Sequence, residues 1–169
     1  ALYINISDKC PLDCHFCRNS IDDDYLKGNS KIMSTEVFKK VIDKSTDYGI
    51  WYYSLMCLFG EPFLDKDILT KLNYMEDHPV VKSFNIPSNI IPLKKNTFDK
   101  MSKLKKCLLK VSVYGHDEET YSNFTKKKNM FEKMYNNLSY IHEKMKNGNC
   151  NMKVTVMMKN QKFDNDYPK

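Results

Sequence analysis

Short apolar runs alternate along the chain with longer stretches in which apolar residues recur every three or four positions. The first pattern predicts buried β-strands and the second predicts amphipathic helices. Strands are predicted at residues 3–6, 50–59, 80–86, 109–114 and 152–158. Strands and helices in alternation predict an α/β fold with a parallel sheet and right-handed crossovers. An open sheet and an unfinished barrel both fit this order.

Residues that favour helix ends stand beside the periodic stretches. Ser34, Asp65 and Asn96 are predicted to cap the first three helices. The strongest period lies in a later helix that Gly148 ends; its apolar residues are Phe131, Met134, Leu138, Ile141 and Met145.

The fourth predicted strand alternates strictly, which predicts one buried face and one polar face. Its apolar residues are Leu109, Val111 and Val113, and its other face carries Lys110, Ser112 and Tyr114.

The composition predicts one folded domain. The 169 residues are 41% hydrophobic and 28% charged, which is typical of a globular protein. The net charge is +6, but the lysines are scattered, and the longest basic run is 126–128. This scatter favours a solvated helix face over a nucleic-acid site. The longest apolar run is too short to span a bilayer and no secretory signal is recognised, so we expect a cytoplasmic protein without a membrane partner.

Three of the six cysteines lie together after the first strand, as Cys10-x3-Cys14-x2-Cys17. Thiolates bind iron–sulfur clusters, and a cubane needs four of them to saturate its irons. Three cysteines therefore leave one iron open to a small molecule. Structural zinc, the alternative, prefers four protein ligands, usually in two separated pairs. The remaining cysteines, Cys57, Cys107 and Cys150, are expected to pack as small apolar side chains.

The cysteine spacing, with the aromatic Phe16 before the last cysteine, resembles the cluster motif of the radical S-adenosylmethionine (SAM) superfamily. Gly60-Glu61-Pro62 after the second strand is similar to that family's Gly-Gly-Glu-Pro motif. Ser88-Asn89 ends the third strand, where many members have Thr-Asn-Gly, and Ser112 resembles a serine of the fourth strand.

The resemblance implies a partial (β/α)6 TIM-like barrel with its cofactors at the carboxyl ends of the strands. Residues 1–160 would form this core, ending after the fifth strand, and 161–169 a polar irregular tail. Relatives in the branch that the later strands resemble often carry a C-terminal domain with further clusters, and we expect this chain to lack it.

The cofactors implied are a [4Fe–4S] cluster and SAM. The resemblance implies that Cys10, Cys14 and Cys17 ligate the cluster. The residues that it implies for SAM are Phe16, Gly60, Glu61, Ser88, Ser112 and Lys126.

Each of these SAM contacts has an expected partner. In the family, the glutamate and its neighbouring backbone hold the amino group of SAM, and the serines contact its carboxylate or ribose. Phe16 is expected to lie against the adenine. Many relatives place an arginine after the fourth strand for the carboxylate, and Lys126 stands in that region here.

The function implied is reductive cleavage of SAM to methionine and a 5′-deoxyadenosyl radical, which abstracts hydrogen from a substrate. The implied partners are an electron donor such as flavodoxin or ferredoxin, and a peptide, protein or small metabolite as substrate. The residues leave open a non-catalytic iron–sulfur or zinc module that binds nucleic acid or a protein through its basic surface. A third alternative is an inactive fragment of an enzyme.

Overall fold

A computed structural model describes residues 1–17, 31–55 and 59–158. Within these ranges a single sheet has five parallel strands in chain order. They are β1 (Leu2–Tyr3), β2 (Tyr52–Ser54), β3 (Ser83–Ser88), β4 (Cys107–Val113) and β5 (Lys153–Met158). The predicted α/β class and parallel sheet are therefore confirmed.

Helices cover the sheet in the same sequence. They are α1 (Thr35–Thr46), α2 (Ile68–Asp77), α3 (Lys95–Met101), α4 (Glu118–Thr125) and α5 (Phe131–Lys146), with a 3-10 turn at Pro62–Leu64. The first three helices pack on one another in chain order, and α5 packs on both α3 and α4. Among the helices of the described ranges, none is long and apolar enough to cross a membrane.

The two faces of the sheet differ in polarity because side chains alternate along each strand. On one face, the strand register brings together Tyr53, Phe84 and Leu109 with Ile86, all fully buried. The opposite face of β2 and β3 carries Ser54 and Asn85. The Ser54 hydroxyl donates a hydrogen bond of 2.9 Å to Oδ1 of Asn85.

Several helices and strands begin or end at other residues than the sequence predicted. Helix α2 begins after Asp67 rather than Asp65, because the Asp65 carboxylate pairs with Lys71 and accepts a hydrogen bond from the Asp67 amide. Helix α3 likewise begins one residue before Asn96, after Lys94.

Strand β3 also continues through Pro87, where the sequence predicted a break. Pro87 lies beyond Asn85, the last β3 residue that pairs with β2, so its missing N–H removes no bond from that described ladder. Helix α4 was not predicted at all. Cys57, the whole predicted tail and the boundary at residue 160 lie outside the described residues.

Candidate functional site

The cysteine loop follows β1 at the carboxyl edge of the sheet, where the loops after β2, β3 and β4 also lie. Cys14 is buried, and Cys10 and Cys17 are half-buried. The Cys17 amide donates to the Cys14 carbonyl at 2.9 Å, which closes a turn between the two thiols. In the described ranges, no three His, Cys, Asp or Glu side chains converge on a single-ion site. Cubane ligands need no such convergence, because each thiolate binds a different iron.

The thiols of Cys10 and Cys14 lie in a poorly solvated environment. Burial raises the pKa of Cys10 and of Cys14 to about 12. Smaller increases come from Glu61 and Cys17 at Cys10, and from Cys10 and Cys17 at Cys14. Without a cation the thiols of Cys10 and Cys14 therefore keep their protons, whereas a bound metal ion deprotonates its thiol ligands.

The end of α4 holds the cysteine loop on one side. The Asp13 amide donates to the Thr125 carbonyl at 3.0 Å, and the His15 amide donates to the Phe124 carbonyl at 3.3 Å. These donors flank Cys14. They occupy carbonyls that the last turn of a helix leaves without intrahelical partners, so α4 determines where the loop lies.

The loop after β2 holds the cysteine loop on another side. Gly60 has a φ of +96°, and a β-carbon there would lie 1.7 Å from the Ser7 carbonyl oxygen. The Glu61 amide donates to the Lys9 carbonyl at 2.7 Å. The glycine is therefore required for both its backbone conformation and its contact with the neighbouring loop.

The Glu61 carboxylate joins the ends of β2 and β3. Its Oε1 accepts hydrogen bonds from the Phe63 amide at 3.1 Å and the Ser88 hydroxyl at 2.8 Å, and its Oε2 accepts one from the Asn89 amide at 2.9 Å. The side chain is fully buried. Burial raises the pKa of Glu61 to about 7, against the lowering effect of these three donors.

Asn89 links this carboxylate to the cysteines, a role that the sequence analysis did not assign to it. Its Nδ2 lies 3.5 Å from the Cys10 sulfur. The next residue, Ile90, has a φ of 55°, a conformation that glycine adopts more easily. Its amide donates to the Ser88 hydroxyl at 2.8 Å and its carbonyl accepts from Asn137 at 2.7 Å. The left-handed backbone at Ile90 is therefore stabilised on both sides.

An aromatic cluster lies beside the cysteines. Phe16 is about half exposed, and its ring centroid is 4.9 Å from that of Phe124 and 5.7 Å from that of Tyr114. Tyr114 stacks on Phe124 at 4.8 Å. Burial raises the pKa of Tyr114 to about 12, and the neighbouring Ser112 side chain lowers it. Phe16 and Ser112, two predicted SAM contacts, therefore both lie near Tyr114.

Lys126 is exposed at the C-terminal end of α4, with a φ of 56°. It directly follows Thr125, whose carbonyl holds the cysteine loop. The next residue, Lys127, forms an ion pair with Asp13 at 3.8 Å. The predicted lysine thus lies at the same edge of the sheet as the cysteines.

Helix α4, which holds the cysteine loop, also carries a buried polar atom without a described partner. The Tyr121 side chain on α4 is fully buried, and its hydroxyl makes no hydrogen bond to any described residue. Three clustered thiols and an amide donor beside Cys10 make a set that suits an iron–sulfur cluster, whose sulfurs accept hydrogen bonds. The residues present fit the group that the sequence predicted.

Comparisons with known proteins identify the family and the fold of the chain. A sequence model of the Radical SAM superfamily matches residues 4–165. The chain is 24% identical over 118 residues to a PqqA peptide cyclase of Bradyrhizobium diazoefficiens, covering 70% of this chain and 29% of the relative. It is 27% identical over 126 residues to a probable GTP 3′,8-cyclase of Methanocaldococcus jannaschii, covering 75% and 40%.

The fold is similar to that of a solved structure, native anSMEcpe with bound AdoMet (SAM) and the Cp18Cys peptide. The TM-score is 0.67 at 17% identity, covering 92% of this chain and 41% of that one. The chain thus spans less than half the length of each of these three proteins. The shared part is the parallel sheet with its helices, as the predicted partial barrel requires.

Proposed function

Because this chain belongs to the radical SAM superfamily, we propose that it is the core of an enzyme. Cys10, Cys14 and Cys17 hold a [4Fe–4S] cluster, and SAM binds at the iron that these thiolates leave open. The observation that carries the proposal is the hydrogen-bonded chain from Cys10 through Asn89 to Glu61, which joins three separate motifs at one edge of the sheet.

When bound, the cluster and SAM supply a one-electron cleavage of SAM and the hydrogen-atom abstraction that follows. The chain's own residues orient SAM. Glu61 has an acceptor position left on Oε2, which receives one described hydrogen bond, and the ammonium of the methionine moiety would donate there. Gly60 keeps this loop against the cysteine loop.

Three further contacts complete the proposed SAM site. The half-exposed ring of Phe16 offers a face for the adenine. The hydroxyls of Ser88 and Ser112 bind the carboxylate or the ribose of SAM. Lys126 supplies the cation for the carboxylate as a single point of charge, without the bidentate fork of an arginine.

We propose a peptide as the substrate class. The PqqA peptide cyclase is named for a peptide, and anSMEcpe was solved with one. We also propose a small acidic electron carrier, such as flavodoxin or ferredoxin, as the electron donor. The net charge of +6 favours such a partner.

The test is anaerobic cluster reconstitution followed by electron paramagnetic resonance of the reduced protein, with and without SAM. We expect a [4Fe–4S]⁺ signal that changes on addition of SAM and is absent from Cys14→Ala. Cys150→Ala is the matched control, because this half-buried cysteine precedes β5 at the opposite edge of the sheet. Zinc in place of iron, or a cluster signal indifferent to SAM, would contradict the proposal.

A further inference from the structure

The buried hydroxyl of Tyr121 is an exception among the polar groups of this fold. Among the described residues, only Asn5 Oδ1 shares its combination of burial and no hydrogen-bond partner. Native proteins nearly always satisfy such groups, because an unpaired buried donor loses its bonds to water without replacement. A hydroxyl left in this state suggests a partner that the polypeptide itself does not provide.

Tyr121 lies one helical turn before the residues of α4 that hold the cysteine loop. Tyr121 and Thr125 lie four residues apart, on one face of the helix, and the Thr125 hydroxyl donates to the Tyr121 carbonyl at 2.8 Å. The Thr125 carbonyl in turn accepts the amide of Asp13. One turn of helix therefore separates Tyr121 from the contact that holds the residue before Cys14.

The electrostatics of the hydroxyl agree with this placement. The pKa of Tyr121 lies well above its ordinary value, chiefly because of burial, and the largest contribution from another ionisable group comes from Cys14. Tyr114, Cys10 and Glu61 make smaller contributions. The groups that influence the hydroxyl are thus those of the proposed cluster site.

The ring has little freedom to turn away from the site. Its centroid lies 6.0 Å from that of Phe131 and 6.4 Å from that of Tyr114. The backbone is also tightly packed, since a β-carbon at Gly115 would lie 2.4 Å from the Tyr121 amide nitrogen. The hydroxyl is therefore held in place before any cofactor arrives.

We propose that the Tyr121 hydroxyl donates a hydrogen bond to a sulfur of the [4Fe–4S] cluster or of its cysteine ligands, and so raises the reduction potential of the cluster. The inference rests on the proposed function. Reduction adds negative charge to the sulfurs, so a donor stabilises the reduced form more than the oxidised form. Hydrogen bonds to cluster sulfurs are one of the factors that set such potentials.

The experiment compares Tyr121→Phe with Tyr53→Phe in the cluster-free and cluster-loaded proteins. Both tyrosines are fully buried, but the Tyr53 hydroxyl is bonded to the Ser45 hydroxyl at 2.9 Å and the Ile50 carbonyl at 3.0 Å. Without the cluster, Tyr121→Phe should leave the unfolding temperature unchanged or raise it, because it removes an unsatisfied group. Tyr53→Phe should lower it.

With the cluster loaded, the expectations reverse. Tyr121→Phe should shift the midpoint potential to more negative values and speed the loss of cluster absorbance to a chelator several-fold. Tyr53→Phe should change neither. Both quantities are measured without turnover, by a redox titration followed by electron paramagnetic resonance and by absorbance.

Two outcomes would overturn the inference while leaving the proposed function intact. One is a cluster in Tyr121→Phe with the wild-type potential and wild-type lifetime. The other is a potential shift that arises only when SAM is present, which would assign the hydroxyl to SAM. Failure of the wild-type protein to assemble any cluster would instead remove the proposed function and the inference together.

Discussion

Gly60 connects two loops of the site because it has no side chain. Its backbone has a φ of +96°, and any β-carbon would overlap the Ser7 carbonyl oxygen. Gly49 also has a positive φ, of +75°, but nothing lies within 4 Å of its would-be β-carbon. Comparing substitutions at the two glycines therefore distinguishes the energetic cost of backbone conformation from that of a steric clash.

We expect Gly60→Ala to lower the free energy of unfolding by more than about 3 kcal/mol, because the clash adds to the left-handed strain. Gly49→Ala should cost only about 1 kcal/mol, from the strain alone. Denaturant unfolding of the cluster-free proteins measures both. Equal losses at the two positions would contradict the close contact between Gly60 and Ser7.

Glu61 makes the free energy of unfolding depend on pH. Its pKa is about 7 in the folded protein, against an ordinary value of 4.5, so the folded state binds the proton more tightly than the unfolded state. The stabilisation is complete below about pH 4.5 and is lost as the pH rises through 7, a change on the order of 3 kcal/mol.

Unfolding free energies of the cluster-free protein between pH 4.5 and 8 provide the measurement. Glu61→Gln should flatten this part of the profile, because glutamine does not titrate. Glu36→Gln, at an exposed site on α1 that pairs with Lys40, should keep the wild-type slope. A wild-type slope in Glu61→Gln would show that another group causes the pH dependence.

At the scale of elements, the sequence predicted most of the helices and strands that depend on local pattern. The Ser34 cap is confirmed, since its hydroxyl accepts from the Val37 amide at 3.2 Å. Helix α4 was missed, although Asp117 and Thr120 form a capping box at its start, a signal that is readable from sequence. Its contact with the cysteine loop was not predictable, because His15 and Asn123 meet across 108 positions of the chain.

The loop that carries Glu61 has a second anchor in a buried ion pair between Asp65 and Lys71. The pair connects the turn after Glu61 to α2, and the Lys71 ammonium also donates to the Met33 carbonyl before α1. Both side chains are almost fully buried. The pair thus links the turn after Glu61 both to α2 and to the residue before α1.

We expect Lys71→Met to lower the free energy of unfolding by about 3–5 kcal/mol, because it leaves the Asp65 carboxylate buried without its cation. Adding Asp65→Leu to Lys71→Met should partly restore stability, because the isolated buried charge is gone. Urea denaturation of the single and double variants provides the test. Additive losses would show that the two groups do not interact.

At the scale of the whole molecule, the described fold has all its proposed cofactor residues at one edge of one sheet. The other end carries Cys107 and Cys150, at or before the starts of β4 and β5. No described residue pairs with the outer side of the edge strand β5, where Val156, Met157 and Met158 are each more than 40% exposed. Because the proposed cofactor residues come from the ends of several strands, a bound cofactor should stabilise the whole domain.

We expect SAM to raise the unfolding temperature of the cluster-loaded protein and not that of Cys14→Ala. At 100 times its dissociation constant, a ligand specific to the folded state adds about 2.7 kcal/mol, or roughly 5–10 °C for a domain of this size. Anaerobic calorimetry measures the shift. An equal shift in Cys14→Ala would mean that SAM binds without the cluster.

The anchoring of the cysteine loop by Thr125, Phe124 and Glu61 also determines when conformational entropy is lost. A flexible loop would have to become ordered as iron binds, and that ordering would weaken binding. Here the backbone around Cys14 is already fixed in the folded chain, so the ordering belongs to folding. Iron should therefore meet a preorganised trio of thiols, and its affinity should depend little on any change in backbone freedom.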